Sequence, residues 1–142
     1  MDTTDLPFYL FWSQNVAGLI LVGLIWTIQV VHYPSFHQID ESQFLKFHQS
    51  HSLRISCIVI PPMLTELFCL GFLVYLSPEI KYIILLSLVL AIWISTFFVQ
   101  VPIHNRLGRM GKKTMEINYL INSNWFRTVL WTVKSVLCLV WS

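Results

Sequence analysis

Four long apolar runs alternate with short polar segments along the chain, at residues 8–31, 53–76, 80–101 and 125–141. A helix needs about 17–25 residues to cross the hydrocarbon core of a bilayer, and all four runs reach that length, the last only just. Lipid offers no partner to an unpaired backbone group, so a spanning run folds as a helix or joins a closed barrel. The pattern predicts one all-α integral membrane domain, residues 1–142, in which four antiparallel helices form an up-down bundle.

The composition agrees with a membrane protein and argues against a soluble one. Of 142 residues 56% are hydrophobic and 11% are charged, whereas a soluble domain is about 25% charged. The basic segment 108–124 resembles no P-loop, and anchorage to anionic lipid headgroups explains it better than a nucleotide does. We therefore expect the lipid bilayer as a partner and no nucleic acid. The oligomeric state is left open.

The basic residues predict an orientation. Seven of the nine Lys and Arg residues lie in or beside the loops that join the first span to the second and the third to the fourth. Cytoplasmic loops carry such an excess of basic residues. Both longer loops are predicted to be cytoplasmic and both termini outside, in a plasma or inner membrane.

The segment between the first two runs is polar and carries histidines. Pro34 is expected to end the first helix, because a residue that precedes proline avoids the α conformation. Asp40 with Gln43 resembles a capping box, and Phe44, Phe47, His48 and His51 follow at helical spacing. We predict a short interfacial helix before the second span, or a helix that continues directly into it. Pro61 and Pro62 are expected to kink the second span.

Polar residues gather at the predicted cytoplasmic ends of all four spans. Thr96, Gln100 and His104 recur at four-residue steps and so share one face of the third helix. Two groups of site residues are predicted. The candidate catalytic residues are His48, His51, His104 and Arg127, and the candidate substrate-binding residues are His32, Gln100, Asn105, Asn124, Glu66 and Lys134.

A histidine near neutral pH can act as an acid or a base, and Arg127 or Asn105 could stabilise a developing oxyanion. A histidine at a membrane interface is also commonly a hydrated or hydrogen-bonded side chain, so a structural cluster stays open. Imidazole is a frequent metal or haem ligand. No HExxH or ExxH signature is present, so no metal is predicted and the cofactor is left unknown.

Glu66 lies roughly 18 Å along the second span from Arg54, at about 1.5 Å per residue, near the middle of the bilayer. Acids at that depth are costly and commonly functional. Lys134 lies near the middle of the fourth span, on a polar and aromatic stripe expected to face protein. We predict that Glu66 and Lys134 meet inside the protein, with Asn15 as a neutral third partner. Functional and structural roles for the pair both stay open.

Two short segments, VPIHNRL at 101–107 and NWFRT at 124–128, resemble the signature of a small membrane family. It is a four-span family of unassigned domains that includes the fungal anthrone oxygenases. In that pattern Pro-x-x-Asn-x-x-Leu follows the third span, and Trp with Asn-x-x-Arg opens the fourth. Pro102, Asn105, Asn124, Trp125 and Arg127 are the matching residues. The resemblance implies a four-helix fold and oxidation of a polycyclic or quinol-like substrate.

Two functions from different classes follow. The first is a membrane oxidoreductase that acts on a small hydrophobic substrate at the histidine-rich end. The second is a non-catalytic membrane protein, either an accessory subunit or a small-molecule binder, in which the same polar residues serve helix packing. A haem-binding four-helix protein is a third reading, which needs two facing histidines deeper in the membrane.

Overall fold

The computed structural model describes residues 5–141, which are almost entirely helical. Within this range four long helical segments follow one another and no β-strand occurs. We label them α1 (Leu6–Gln38), α2 (Glu41–Leu76), α3 (Ile80–Met110) and α4 (Thr114–Val140). The prediction of an all-α fold is confirmed. The first three segments are each long and apolar enough to cross a membrane.

The fourth segment differs from the other three. With 27 residues α4 is long enough for a bilayer, but its composition does not place it among the candidate spans. The predicted run 125–141 begins directly after Asn124 and contains Arg127 and Lys134. All three of these polar side chains are buried. The prediction of a fourth span is therefore supported by the length of α4 and not by its hydropathy.

A π-helical segment carries α1 past the proline that was expected to end it. The segment covers Ile28–His32, and the N–H of Tyr33 donates to the carbonyl oxygen of Ile28. The wide turn falls just before Pro34, where the helical ladder loses a donor. The helix then continues through one further α turn and a 3-10 turn to Gln38. The prediction that Pro34 ends the first helix is wrong for this reason.

The same device occurs in α3. A π-helical segment covers Thr96–Gln100, the N–H of Val101 donates to Thr96, and Pro102 follows. The helix extends to Met110, well beyond the end of the apolar run at residue 101. It stops at Gly111, whose positive φ of 75° suits a residue without a Cβ.

α2 is one continuous helix of 36 residues. The prediction of a separate interfacial helix is wrong, and the alternative that this segment runs directly into the second span is confirmed. Asp40 is the N-cap residue, but its side chain makes no capping hydrogen bond. The helix passes through Pro61 and Pro62 without a break.

Three apolar clusters fill the space between the segments. The cluster at the end with the longer loops consists of Ile28, Tyr33, Phe36, Phe44, Ile103, Leu107, Ile117 and Leu120. The middle cluster consists of Leu21, Ile25, Met63, Ile92 and Trp131. The third consists of Phe11, Leu70, Leu73, Tyr82, Leu85, Val89 and Cys138. The outside is also apolar: Leu53 and Phe98, for example, are 70% and 78% exposed.

Candidate functional site

A largely apolar cavity of about 480 Å³ lies between the helices, and all four segments contribute to its wall. Cavities that hold small molecules fall in the same range of volume. Four residues that line the cavity are also exposed on the outside of the protein: Ser56 and Ile60 of α2, and Phe97 and Val101 of α3. The cavity therefore opens sideways, between α2 and α3.

The polar face predicted for α3 lies on this wall. Thr96, Gln100 and His104 all line the cavity, which confirms that the three residues share a face. Gln100 donates from Nε2 to Ser123 Oγ of α4 at 3.1 Å. That bond fixes the amide across the helix interface, while Gln100 Oε1 has no partner.

Four buried polar atoms of cavity-lining side chains lack a hydrogen-bond partner within residues 5–141. They are Ser52 Oγ, Trp93 Nε1, Gln100 Oε1 and Arg127 Nε. Buried polar groups in native proteins are nearly always paired, with protein or with water. These two donors, one acceptor and one hydroxyl are buried behind the cavity surface, so a ligand reaches them when the lining side chains move.

Arg127 is held by a chain of amide groups. Its Nη1 donates to Asn124 Oδ1 at 3.4 Å. Asn124 Nδ2 donates to Gln29 Oε1 at 2.8 Å, and Gln29 Nε2 donates to the carbonyl oxygen of Ile121 at 3.1 Å. Asn124 and Arg127 share a face because they are three residues apart on α4. The guanidinium carbon also lies 5.1 Å from the ring centroid of Trp131.

His104 is the middle member of a three-residue chain. Its Nε2 is 3.1 Å from the hydroxyl of Tyr33, and its Nδ1 is 3.0 Å from Nε2 of His48. Both ring nitrogens of His104 are thus engaged, and His48 Nδ1 has no partner. A neutral imidazole donates from one nitrogen and accepts at the other. The chain can therefore pass a proton between Tyr33, which lines the cavity, and His48, which does not.

His32 and His51 form a second pair, with His32 Nε2 2.8 Å from His51 Nδ1. Both line a separate surface depression, together with Lys46 and Arg54. The ring centroid of His51 is 6.4 Å from that of His104. The four predicted histidines thus come together at one end of the protein, but His104 alone among them lies on the cavity wall.

The histidine pairs lie at hydrogen-bonding separations. Within residues 5–141 no group of three or more His, Cys, Asp or Glu side chains could hold a metal ion. Two imidazole nitrogens on opposite sides of an ion would be about 4 Å apart, twice the metal–nitrogen distance of 2.0–2.1 Å. The observed separations of 2.8 and 3.0 Å are those of hydrogen bonds instead. The paired histidines therefore do not form the facing ligands that the haem reading needs.

A buried ion pair lies behind one wall of the cavity. Lys134 Nζ contacts Glu66 Oε1, and the two side chains are 0% and 1% exposed. Trp131 Nε1 donates to the other carboxylate oxygen at 3.0 Å, and the carbonyl oxygen of Gln14 lies 3.4 Å from Lys134 Nζ. The predicted meeting of Glu66 and Lys134 is confirmed. The prediction of Asn15 as the third partner is wrong, because Trp131 and the Gln14 backbone fill that place.

The predicted substrate-binding residues separate into two sets. Gln100 and Asn105 line the cavity, and Asn105 is exposed at its border. The other four lie away from the wall: His32, Asn124, Glu66 and Lys134. Asn124 accepts a hydrogen bond from the cavity-lining Arg127, and Glu66 accepts one from the cavity-lining Trp131.

Sequence reasoning missed three residues that matter here. Tyr33 stands between His32 and Pro34, a position that could have drawn attention to it. Ser52 lies directly before the second apolar run and Trp93 inside the third, and nothing in the periodicity distinguishes either from a residue on the outer surface or in the packing. Their importance arises from the packing of α2 against α3, which no local pattern records.

No family model, curated protein or solved structure matches this chain. The relation of segments 101–107 and 124–128 to the anthrone-oxygenase family therefore stays a prediction.

Proposed function

We propose that the protein is an integral membrane protein in which four antiparallel helices form a bundle around a binding site for a small hydrophobic molecule. Three candidate spans and the apolar outer surface support the membrane setting. Exposed apolar area on this scale would favour aggregation in water. The distribution of basic residues supports cytoplasmic longer loops and external termini, in a plasma or inner membrane.

The cavity is the observation that carries the binding proposal. Its size suits a small molecule, its wall is mostly apolar, and Arg127, Gln100 and Trp93 on this wall each carry a buried polar atom without a partner. Its mouth between α2 and α3 would face lipid. A hydrophobic ligand dissolved in the bilayer could therefore enter from the side, without passing through water.

Filling the cavity tests this proposal. Pyrenemethanol is a polycyclic fluorescent probe small enough for a 480 Å³ space. Val59 lines the cavity, and its neighbour Ile58 is 56% exposed on the outside of the same helix. In nanodiscs, Val59→Trp is expected to abolish saturable binding of the probe, while Ile58→Trp leaves it unchanged. Binding that is absent from the wild type, or equal in the two variants, would contradict the proposal and leave the polar cluster a packing feature.

A second candidate function, oxidation of a quinol-like substrate, is favoured by one observation. Tyr33 lines the cavity, and its hydroxyl is linked through His104 to His48. This chain would accept a proton from a bound hydroxyl group. The remaining chemistry needs an electron acceptor, for which we name dioxygen. The balanced reaction converts a quinol and dioxygen to a quinone and hydrogen peroxide, with two electrons and two protons passing to oxygen.

The catalytic role assigned to His104 changes in this scheme. Both of its nitrogens already bond to protein groups, so Tyr33 would meet the substrate and His104 would relay the proton. With a membrane-soluble quinol, Tyr33→Phe should remove peroxide formation and oxygen uptake while probe binding persists. Peroxide formation by Tyr33→Phe at the wild-type rate would contradict the oxidase proposal and leave the binding proposal intact.

A further inference from the structure

We infer that the ligand of the cavity is a lipophilic monoanion, such as a carboxylate or phenolate, whose charge is neutralised by Arg127. This inference rests on the proposed binding function and adds the chemical class of the ligand. It depends on how the buried charges of the protein are paired.

The buried side chains of the described chain include two fixed cations and one anion. Lys134 and Glu66 neutralise each other in direct contact, and Trp131 takes the second carboxylate oxygen. Arg127 is only 6% exposed and takes part in none of the ion pairs found within residues 5–141. One positive charge is therefore left inside the protein.

The contacts of Arg127 do not replace a counterion. Asn124 Oδ1 is a neutral acceptor at 3.4 Å, the face of Trp131 is 5.1 Å away, and Arg127 Nε has no partner. A guanidinium has five N–H donors in a planar fork that matches a carboxylate. A buried charge without a partner is strongly unfavourable. An anion beside Arg127 would remove that penalty.

The space next to Arg127 decides what kind of anion fits. Arg127 lines the cavity, and the rest of the wall is mainly aliphatic and aromatic. A small inorganic ion would neutralise the guanidinium but leave the apolar wall without contacts. A lipid phosphate beside Arg127 would place its polar glycerol and ester groups against this mainly apolar wall. A ligand with one flat or linear apolar body and one acidic group would contact the apolar wall and neutralise Arg127.

Two probes that differ mainly in charge test the inference. Pyrenecarboxylate and pyrenemethanol are titrated against the full-length protein in phosphatidylcholine nanodiscs, with empty nanodiscs correcting for partition into lipid. Charge-assisted hydrogen bonds to Arg127 are expected to make the acid bind about tenfold to a hundredfold more tightly. Arg127→Met should remove this preference and keep the binding of the alcohol. The matched control is Arg109→Met, which removes an exposed arginine from the same end of the protein and should leave the preference unchanged.

The outcomes separate this inference from the proposed function. Equal binding of acid and alcohol by the wild type would overturn the anion inference while the binding site stands. Binding of neither probe would overturn both. The wild-type comparison and Arg127→Lys, which keeps the charge and should keep the preference, remain decisive if Arg127→Met does not fold. Displacement of pyrenecarboxylate by sodium bromide or by phosphatidylglycerol would reassign the anion to a free ion or a lipid phosphate and overturn the inference.

Discussion

Gly18 makes room for the buried ion pair, and adding a single methyl group there should damage the protein. A Cβ at this position would lie 2.7 Å from Lys134 Nζ and 2.9 Å from Glu66 Oε1. Both distances are shorter than real contacts of a Cβ. Gly23, on the same helix, has nothing within 4 Å of its Cβ position. The two glycines therefore provide a matched pair of Gly→Ala substitutions.

The magnitude follows from two opposing effects. Alanine stabilises a helix interior relative to glycine by roughly 0.5–1 kcal/mol. Removing one partner of a buried ion pair costs about 3–5 kcal/mol, and displacing the side-chain ends of Lys134 and Glu66 costs part of that. We expect Gly18→Ala to lower the free energy of unfolding by about 1–3 kcal/mol. Gly23→Ala should be neutral or should raise it by up to about 1 kcal/mol.

Reversible unfolding in bicelles measures both variants. A second experiment identifies the cause: in a Glu66→Gln, Lys134→Met background the atom closest to the new methyl group is gone and the charges are absent. Gly18→Ala should then lower the free energy of unfolding by less than it does in the wild-type background. Equal effects of Gly18→Ala and Gly23→Ala would refute the account, as would an undiminished cost of Gly18→Ala in the neutral background.

Three further predictions concern the same helices and their orientation. Trp131→Phe keeps an aromatic face beside Arg127 but removes the hydrogen-bond donor to Glu66. This variant should lower the unfolding free energy by about 1.5–3 kcal/mol. An unchanged unfolding free energy would show that the hydrogen bond adds no stability. Lys112 Nζ donates to two backbone carbonyls near the end of α1, at 2.8 and 2.7 Å. Lys112→Met should therefore lower the unfolding free energy by about 1–3 kcal/mol. The exposed control Lys113→Met should leave it nearly unchanged. In a background without native cysteines, Lys113→Cys should react with an impermeant thiol reagent only from the cytoplasmic side, and labelling from outside alone would reverse the proposed orientation.

Features that depend on periodicity along one helix could be predicted from the sequence. The four-residue steps of Gln100 and His104 placed both on one face, and the structure puts both on the cavity wall. Charges in long apolar runs predicted the contact of Glu66 with Lys134, because each is too costly to leave unpaired among apolar groups.

Features that depend on irregular turns or on packing between helices could not be predicted. The wide turns before Pro34 and Pro102 let helices continue past residues that ordinarily end them. Those extensions bring Tyr33 and His104 within 3.1 Å of each other. The cavity itself exists because side chains far apart in sequence leave space between α2 and α3, and Trp93 gives no local sign of that.

The position of a bound probe would show whether the cavity is the binding site. Crystals of the protein grown with a brominated pyrenecarboxylate would locate the bromine by anomalous diffraction. We expect one bromine site inside the cavity, between α2 and α3, with the carboxylate within hydrogen-bonding distance of Arg127. Bromine found only on the outer surface of the helices, with none in the cavity, would contradict it.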